Sequence, residues 1–312
     1  LSKVDVRTAT CRNEKDTKAI LDELEQGVGF VACNTLVIGL LREALVAQAR
    51  AALERLPAAE RGTSVLINQL GKLLMDMGKL EEARPLLEEA MRARREMLGD
   101  RDPDTLTSIN NMGLLLMRMN ELQEARPLFE EALQARRETL GDRHQHTLTS
   151  INNMGLLLKR MGKLEEARPL LGEALQSRRD TLGDRHRHTL ISIGTMSELM
   201  QEMDQLEEAK TLLEEALQAR RETLGNRHRH TLKSICTMGE LLHAMGQLKK
   251  ARLMLEEALR GQKETLGDNH QHTRNTIGLL DKLPKLSCEF TVYSAEAGKL
   301  KLTPDFYAAW CG

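Results

Sequence analysis

The chain has 312 residues, with 45 Lys+Arg against 46 Asp+Glu and a formal net charge of -1. Aromatic residues are only 2% of it, and Phe290, Tyr293, Phe306, Tyr307 and Trp310 crowd into the last stretch. That composition excludes a main body built as a sandwich or barrel, which needs aromatic and β-branched strands throughout. A near-neutral chain without a basic block also lacks the electrostatic footprint of a nucleic-acid binder.

The 5 cysteines are odd in number, scattered, and form no C-x-x-C pair. This argues against a disulfide framework and a zinc site, and suits a reducing, cytoplasmic compartment. No cofactor or metal is expected. The longest apolar run, residues 27–41, is interrupted by Asn34 and Thr35 and falls short of the roughly 20 residues that span a bilayer, so membrane insertion is not expected. Opening on Leu1 rather than Met, the chain reads as a piece of a longer protein or a processed product.

In chain order, residues 1–62 form an N-terminal flank. Val4-Asp5-Val6 reads as a strand, Asp16–Glu25 and Thr35–Leu56 as helices. The second helix gathers Leu36, Leu40, Leu41, Leu45, Ala49, Ala52, Leu53 and Leu56 on a broad apolar face, and residues 57–62 break it. The flank suits a cap for the array that follows, whose first unit otherwise exposes a core face. Residues 27–32 match G-x-G-x-x-A, but the dinucleotide fingerprint needs a preceding strand. A helix precedes this one and no strand follows, so these are loop glycines.

Residues 63–285 carry an internal repeat. Leu-Gly recurs at Gly99, Gly141, Gly183, Gly225 and Gly267, in steps of 42 without insertion. Such a period marks a solenoid, in which stacked units share one continuous core. In one unit, Thr105 to about Met119 has helical spacing at Leu106, Ile109, Met112, Leu115, Leu116 and Met119, with Asp104 or Thr105 as its cap. Asn120 ends it in a left-handed turn, as Gly78, Gly162 and Gly246 do in other copies. A second helix runs from Leu122 to about Leu140, where Pro127, like Pro85 and Pro169, should kink or delay the first turn. Small residues mark the crossing of the two helices: Gly71, Gly113, Gly155, Ser197 and Gly239 are expected to face Ala83, Ala125, Ala167, Ala209 and Ala251.

Thr273–Leu283 repeats the first-helix pattern and ends at Pro284, a closing helix. Residues 286–312 lose the period and read as an irregular, partly β-like tail.

Two repeated constellations invite chemistry. His-x-His recurs at His144/His146, His186/His188, His228/His230 and His270/His272, yet no acid or Cys completes a metal set. Asp102 and Asp104 stand at the matching places of the first unit, so the second His reads as a replacement helix cap. The consecutive Glu130-Glu131 and Arg136-Arg137 pairs read as a solvated face with weak ion pairs rather than catalytic carboxylates.

Ile109, Met112-Gly113 and Leu116 in the first helix, with Ala125, Phe129 and Ala132 in the second, resemble the tetratricopeptide repeat. The 42-residue period, S-x-N-N-x-G, E-A-x-P-L and L-G-x-x-H resemble its long-repeat branch, typified by kinesin light chain and nephrocystin. The resemblance implies an all-α, right-handed superhelical solenoid of helix hairpins whose first helices line a concave groove. It further implies a non-enzymatic scaffold holding peptides there. Positions that line the groove in that family fall on Asn68, Lys72, Met75 and Asp76 in unit one. They fall on Asn110, Leu114, Met117 and Arg118 in unit two, and on Asn152, Leu156, Lys159 and Arg160 in unit three. In units four and five they include Gly194, Glu198, Gln201 and Glu202, then Cys236, Glu240 and His243.

An Asn amide both donates and accepts, and so suits an extended peptide backbone, above all at Asn110 and Asn152. Asn111 and Asn153 are expected to bond neighbouring helices instead. The charges predict a groove positive beside units one to three and negative beside four and five. The expected ligand is a protein or peptide with an acidic segment and an apolar anchor over Met75, Met117 and Leu114. The alternative is the sensor array of a larger signalling protein, because the strand-like start faintly resembles the tail of a TIR-like or NTPase domain.

Overall fold

The computed structural model describes residues 30–268, 270–284, 291–294 and 298–301. The expected strand at Val4 and helix at Asp16–Glu25 lie outside these residues. The first described helix, α1 (Phe30–Glu54), begins before the expected Thr35. A short α2 (Ala58–Arg61) follows. Five hairpins come next: α3 (Val65–Asp76) with α4 (Leu80–Leu98), α5 (Pro103–Arg118) with α6 (Leu122–Leu140), and α7 (Gln145–Arg160) with α8 (Leu164–Leu182). The last two are α9 (Arg187–Glu202) with α10 (Leu206–Leu224), and α11 (Arg229–Ala244) with α12 (Leu248–Leu266). α13 (Gln271–Asp281) closes the array. In the tail, β1 (Thr291–Ser294) and β2 (Gly298–Lys301) pair antiparallel.

From α3 to α13 each helix packs on the next, as stacked repeats require. Ile67, Ile109, Ile151, Ile193 and Ile235 are all 0% exposed, so one core layer recurs with the period. Burying one such side chain contributes about 1.5–3 kcal/mol. The Leu-Gly signature is a backbone requirement. Gly141 has φ 82 and ψ 164, a region essentially closed to residues bearing a Cβ. Asn120 (φ 67) and Asp204 (φ 60) turn the first-to-second-helix corner where other units use glycine. Their short polar side chains tolerate the left-handed region best.

Several expectations are corrected. α6 runs from Leu122 through Pro127, so the proline does not delay its first turn. On α1, Val46 and Leu53 are buried, whereas Leu36, Leu40, Leu41 and Leu45 are exposed. The helix packs through its C-terminal part on α3 and also touches α12. The crossing glycines meet the large residue four positions beyond the expected Ala. A Cβ on Gly155 would lie 2.6 Å from the Leu171 side chain, and one on Gly113 would lie 2.9 Å from Phe129. Side chains reaching across the crossing make the closest approach, although Ser197 does donate to the Ala209 carbonyl at 3.2 Å.

The arginine pairs are not a uniformly solvated face. Successive helical positions differ by about 100°, so the two members point to different sides. Arg94, Arg136 and Arg178 are buried. Arg136 donates to Ser150 Oγ at 2.7 Å and the His146 carbonyl at 3.3 Å. Arg94 likewise reaches Ser108 and the Asp104, Thr63 and Ser64 carbonyls, stapling three helices. The second arginine of each pair meets a glutamate of the next unit: Arg95 with Glu131, Arg137 with Glu173, Arg179 with Glu215 and Arg221 with Glu257. Half-exposed pairs of this kind contribute about 0.2–1 kcal/mol each.

The helix caps are also reassigned. Asp102, not Asp104 or Thr105, caps α5, accepting from the Asp104 N–H at 2.8 Å. At later seams the first histidine of each pair takes that place and the second stands inside the helix.

Candidate functional site: the inner face of the array

Consecutive first helices (α3 to α5, α5 to α7, α7 to α9) approach one another directly, more closely than consecutive second helices do. An array whose first helices crowd together curves towards them, so the first helices form the inner, concave face. The expected groove residues all lie on these helices.

Lys72 is exposed and has no ion pair among the described residues. Asn68, Asn110 and Asn152 are buried, at 7%, 6% and 6% exposure. Asn68 donates to Ser108 Oγ at 2.8 Å, and Asn110 accepts from Asn153 at 2.9 Å. Part of their bonding capacity therefore joins one unit to the next, as expected for Asn153. Asn68 Oδ1 and Asn152 Oδ1 are buried without a partner among the described residues. Unit four supplies no amide to Asn152, because Thr195 stands at the place of Asn153 and bonds back to the Ile191 carbonyl. Leu114, Leu156 and Met117 are half-buried and Met75 is buried, forming the apolar floor.

The cations are mostly engaged. Arg118 donates to the Met75 carbonyl at 2.7 Å and to Asp76 at 3.3 Å. Arg160 repeats this one unit later, on the Met117 carbonyl and on Asn120 Oδ1. Each binds the C-terminal end of the preceding first helix, where the helix dipole favours positive charge. Lys159, largely buried, lies 3.1 Å from Glu198 and 3.2 Å from Glu202. Lys159 thus faces the acidic units rather than an open groove, leaving Lys72, Arg118 and Arg160 as the positive part. Glu240 is reached by solvent, yet the surrounding inner wall strips enough hydration to push its carboxyl up; nearby Glu198 adds to the effect and Lys233 opposes it. At the place of Asn110 in unit five, Cys236 sits 3.4 Å from Thr276 Oγ1. Sequence reasoning did not identify the engagement of Arg118 and Arg160 with carbonyls. It follows from the 42–43 residue offset between unit ends and depends on how units stack.

Among the described residues no helix is long and apolar enough to cross a membrane.

The family profile described as tetratricopeptide repeat matches residues 62–138, 104–180, 147–222 and 188–264. No curated protein matches the chain. Among solved structures, the nearly identical TPR-like repeats of a Podosopora anserina protein named for kinesin light chain are 25% identical. They align over 68% of this chain and 98% of their own, with a TM-score of 0.56. BtubC from P. vanneervenii is 20% identical and aligns over 81% of this chain and 99% of its own, with a TM-score of 0.60. The quorum sensor NprR from B. thuringiensis, in its apo form, is 14% identical, with 86% of this chain and 75% of its own covered and a TM-score of 0.59. The latter two share the solenoid fold.

Proposed function

The chain belongs to the tetratricopeptide repeat family, and on that footing we propose that it is a non-enzymatic, cytoplasmic interaction scaffold holding an extended peptide segment of a partner in its concave groove. One observation carries the reading: the first helices of units one to four crowd together and so bring corresponding side chains onto one inward-curved surface. Lys72, Arg118 and Arg160, partly offset by Asp76, set a positive stretch; Glu198, Glu202 and Glu240, partly offset by Lys159, set a negative one. A concave surface concentrates such fields and orients a ligand of complementary charge. The ligand is a segment with acidic residues beside units one to three and basic residues beside units four and five. Its apolar anchor rests over Met117 and Leu114, whose flexible side chains adapt to it.

The test uses Lys72→Glu and Glu240→Lys, because neither side chain holds a seam together. Binding of a labelled peptide with that charge order is followed by fluorescence anisotropy against its charge-inverted counterpart. Each variant should weaken the first peptide, by roughly threefold to tenfold at low salt and less at high salt. Equal binding of both peptides, unmoved by either variant or by salt, would exclude the groove.

A further inference from the structure

More exposed large apolar side chains lie on α1 than on any other described helix. Leu36 and Leu40 are 63% and 61% exposed, with α3 and α12 both in place. Leu36, Leu40, Ala44, Ala47 and Ala51 follow one another at intervals of three or four residues. With about 100° between successive residues, they fall within an arc of about 80°. Ala44 and Ala47 are exposed and Ala51 is half-buried. Val46 and Leu53, which anchor the helix on the array, point the other way. Single exposed leucines are ordinary, whereas a continuous apolar stripe marks an interface.

We propose that this stripe is a homodimer interface, on which α1 of a second copy lies antiparallel about a two-fold axis. Leu36 of one copy packs on Ala51 of the other, and Leu40 on Ala47.

The stripe is complementary to itself. Its large residues lie in the N-terminal half of the helix and its small ones in the middle and C-terminal half. Laid antiparallel on a second copy, each leucine meets an alanine; a parallel pairing would set leucine against leucine and alanine against alanine. The pairs 36/51 and 40/47 share one midpoint, between Glu43 and Ala44, so a single two-fold axis serves both, as an isologous contact requires. The charged side chains flanking the stripe are already engaged within the chain. Glu43 pairs with Lys79 at 2.7 Å and Arg50 with Glu82, so neither faces the second copy as an unpaired charge. Exposed Glu54 ends the stripe on the same side and falls beyond Leu36 of the second copy. A formal net charge of -1 sets up almost no repulsion between copies. Two such helices side by side remove on the order of 1,000 Å² in total from water, the lower limit of specific interfaces, so the dimer dissociates on dilution. None of these residues belongs to the groove, so dimer and peptide binding stand or fall separately.

The experiment is sedimentation velocity on the full chain, over a dilution series from about 100 µM to about 1 µM. The wild type should be dimeric at the highest concentration and dissociate towards the lowest. Leu36→Glu combined with Leu40→Glu should weaken the dimer by about tenfold or more. Circular dichroism and melting should not change, because both side chains are exposed in the single copy. Ala47→Leu tests the register: it sets a second large side chain where Leu40 must fit, and should weaken the dimer although it makes the stripe more apolar. Adding Leu40→Ala to Ala47→Leu returns one large and one small residue to that contact and should restore the dimer. If the glutamate variant does not fold, the two position-47 variants carry the test. A wild type that is monomeric at the highest concentration overturns the proposal, as does a dimer indifferent to the glutamates. Stronger association of Ala47→Leu, the mark of unspecific apolar sticking, overturns it equally.

Discussion

The side-chain amide of Asn153 donates to the side-chain carbonyl of Asn110 at 2.9 Å, tying α7 to α5 across the inner face. Both residues are buried, at 7% and 6% exposure. Asn153→Ala therefore leaves a buried carbonyl without its donor, which costs about 1–3 kcal/mol. Urea denaturation of Asn153→Ala, Asn110→Ala and the double variant should give a coupling of at least ~0.5 kcal/mol. Strict additivity would mean that the bond contributes nothing to holding the two units.

A second expectation concerns the helix crossing of unit three. A Cβ on Gly155 would lie 2.6 Å from Leu171, so Gly155→Leu must force the helices apart. The cost should be about 1–3 kcal/mol or more. Unit four shows the limit of tolerance, since Ser197 occupies that place opposite the buried Leu213. Gly155→Ser should consequently cost less than Gly155→Leu in thermal denaturation. Equal melting temperatures for the wild type and Gly155→Leu would contradict this packing.

The arginine staple stops at the last unit, where Gln262 stands in place of Arg220 and Thr276 in place of Ser234. Gln262 is buried and its Oε1 has no partner among the described residues. Gln262→Arg should recreate the bond made elsewhere by Arg136 to Ser150, here to Thr276 on α13. A hydrogen bond from a charged donor contributes about 1.5–3 kcal/mol, reduced here by the burial of the charge. Hydrogen exchange across α13 should slow, with α5 unaffected. Faster exchange there would show that the last seam cannot accommodate the guanidinium.

What the sequence made legible was local. The bounds of α6 and the left-handed turn at Asn120 follow from residues that leave the backbone little choice. What it hid depends on how units stack. Arg136 and Arg137 look alike in sequence, yet one is buried against Ser150 and the other meets Glu173. The available signal was a serine 14 residues after each buried arginine, at Ser108, Ser150, Ser192 and Ser234. Asp102 and Asp104 are chemically equivalent residues, yet only Asp102 precedes the helix and can cap it. On the inner face, residue type gave the charge of Arg118 and Arg160. Only the offset between stacked units shows that the Met75 and Met117 carbonyls engage them.

Glu240 offers the last test, and it separates binding from stability. Desolvation first, then the negative charge of Glu198, push its carboxyl above the ordinary glutamate value, against the pull of Lys233. A carboxylate with a raised folded-state value binds protons more readily folded than unfolded. Its ionisation therefore opposes folding at neutral pH, and that penalty fades as pH falls through the raised value towards the ordinary one, about 4.3. Glu240→Gln keeps the shape and removes the charge. It should stabilise the array at pH 7 in urea denaturation, with the advantage shrinking at pH 4. The same variant should weaken a peptide whose basic end lies beside units four and five, because the charge that strains the fold is the one that attracts the ligand. If Glu240→Gln destabilises the chain at pH 7, the carboxylate has a favourable partner on the inner face and is not held there against folding.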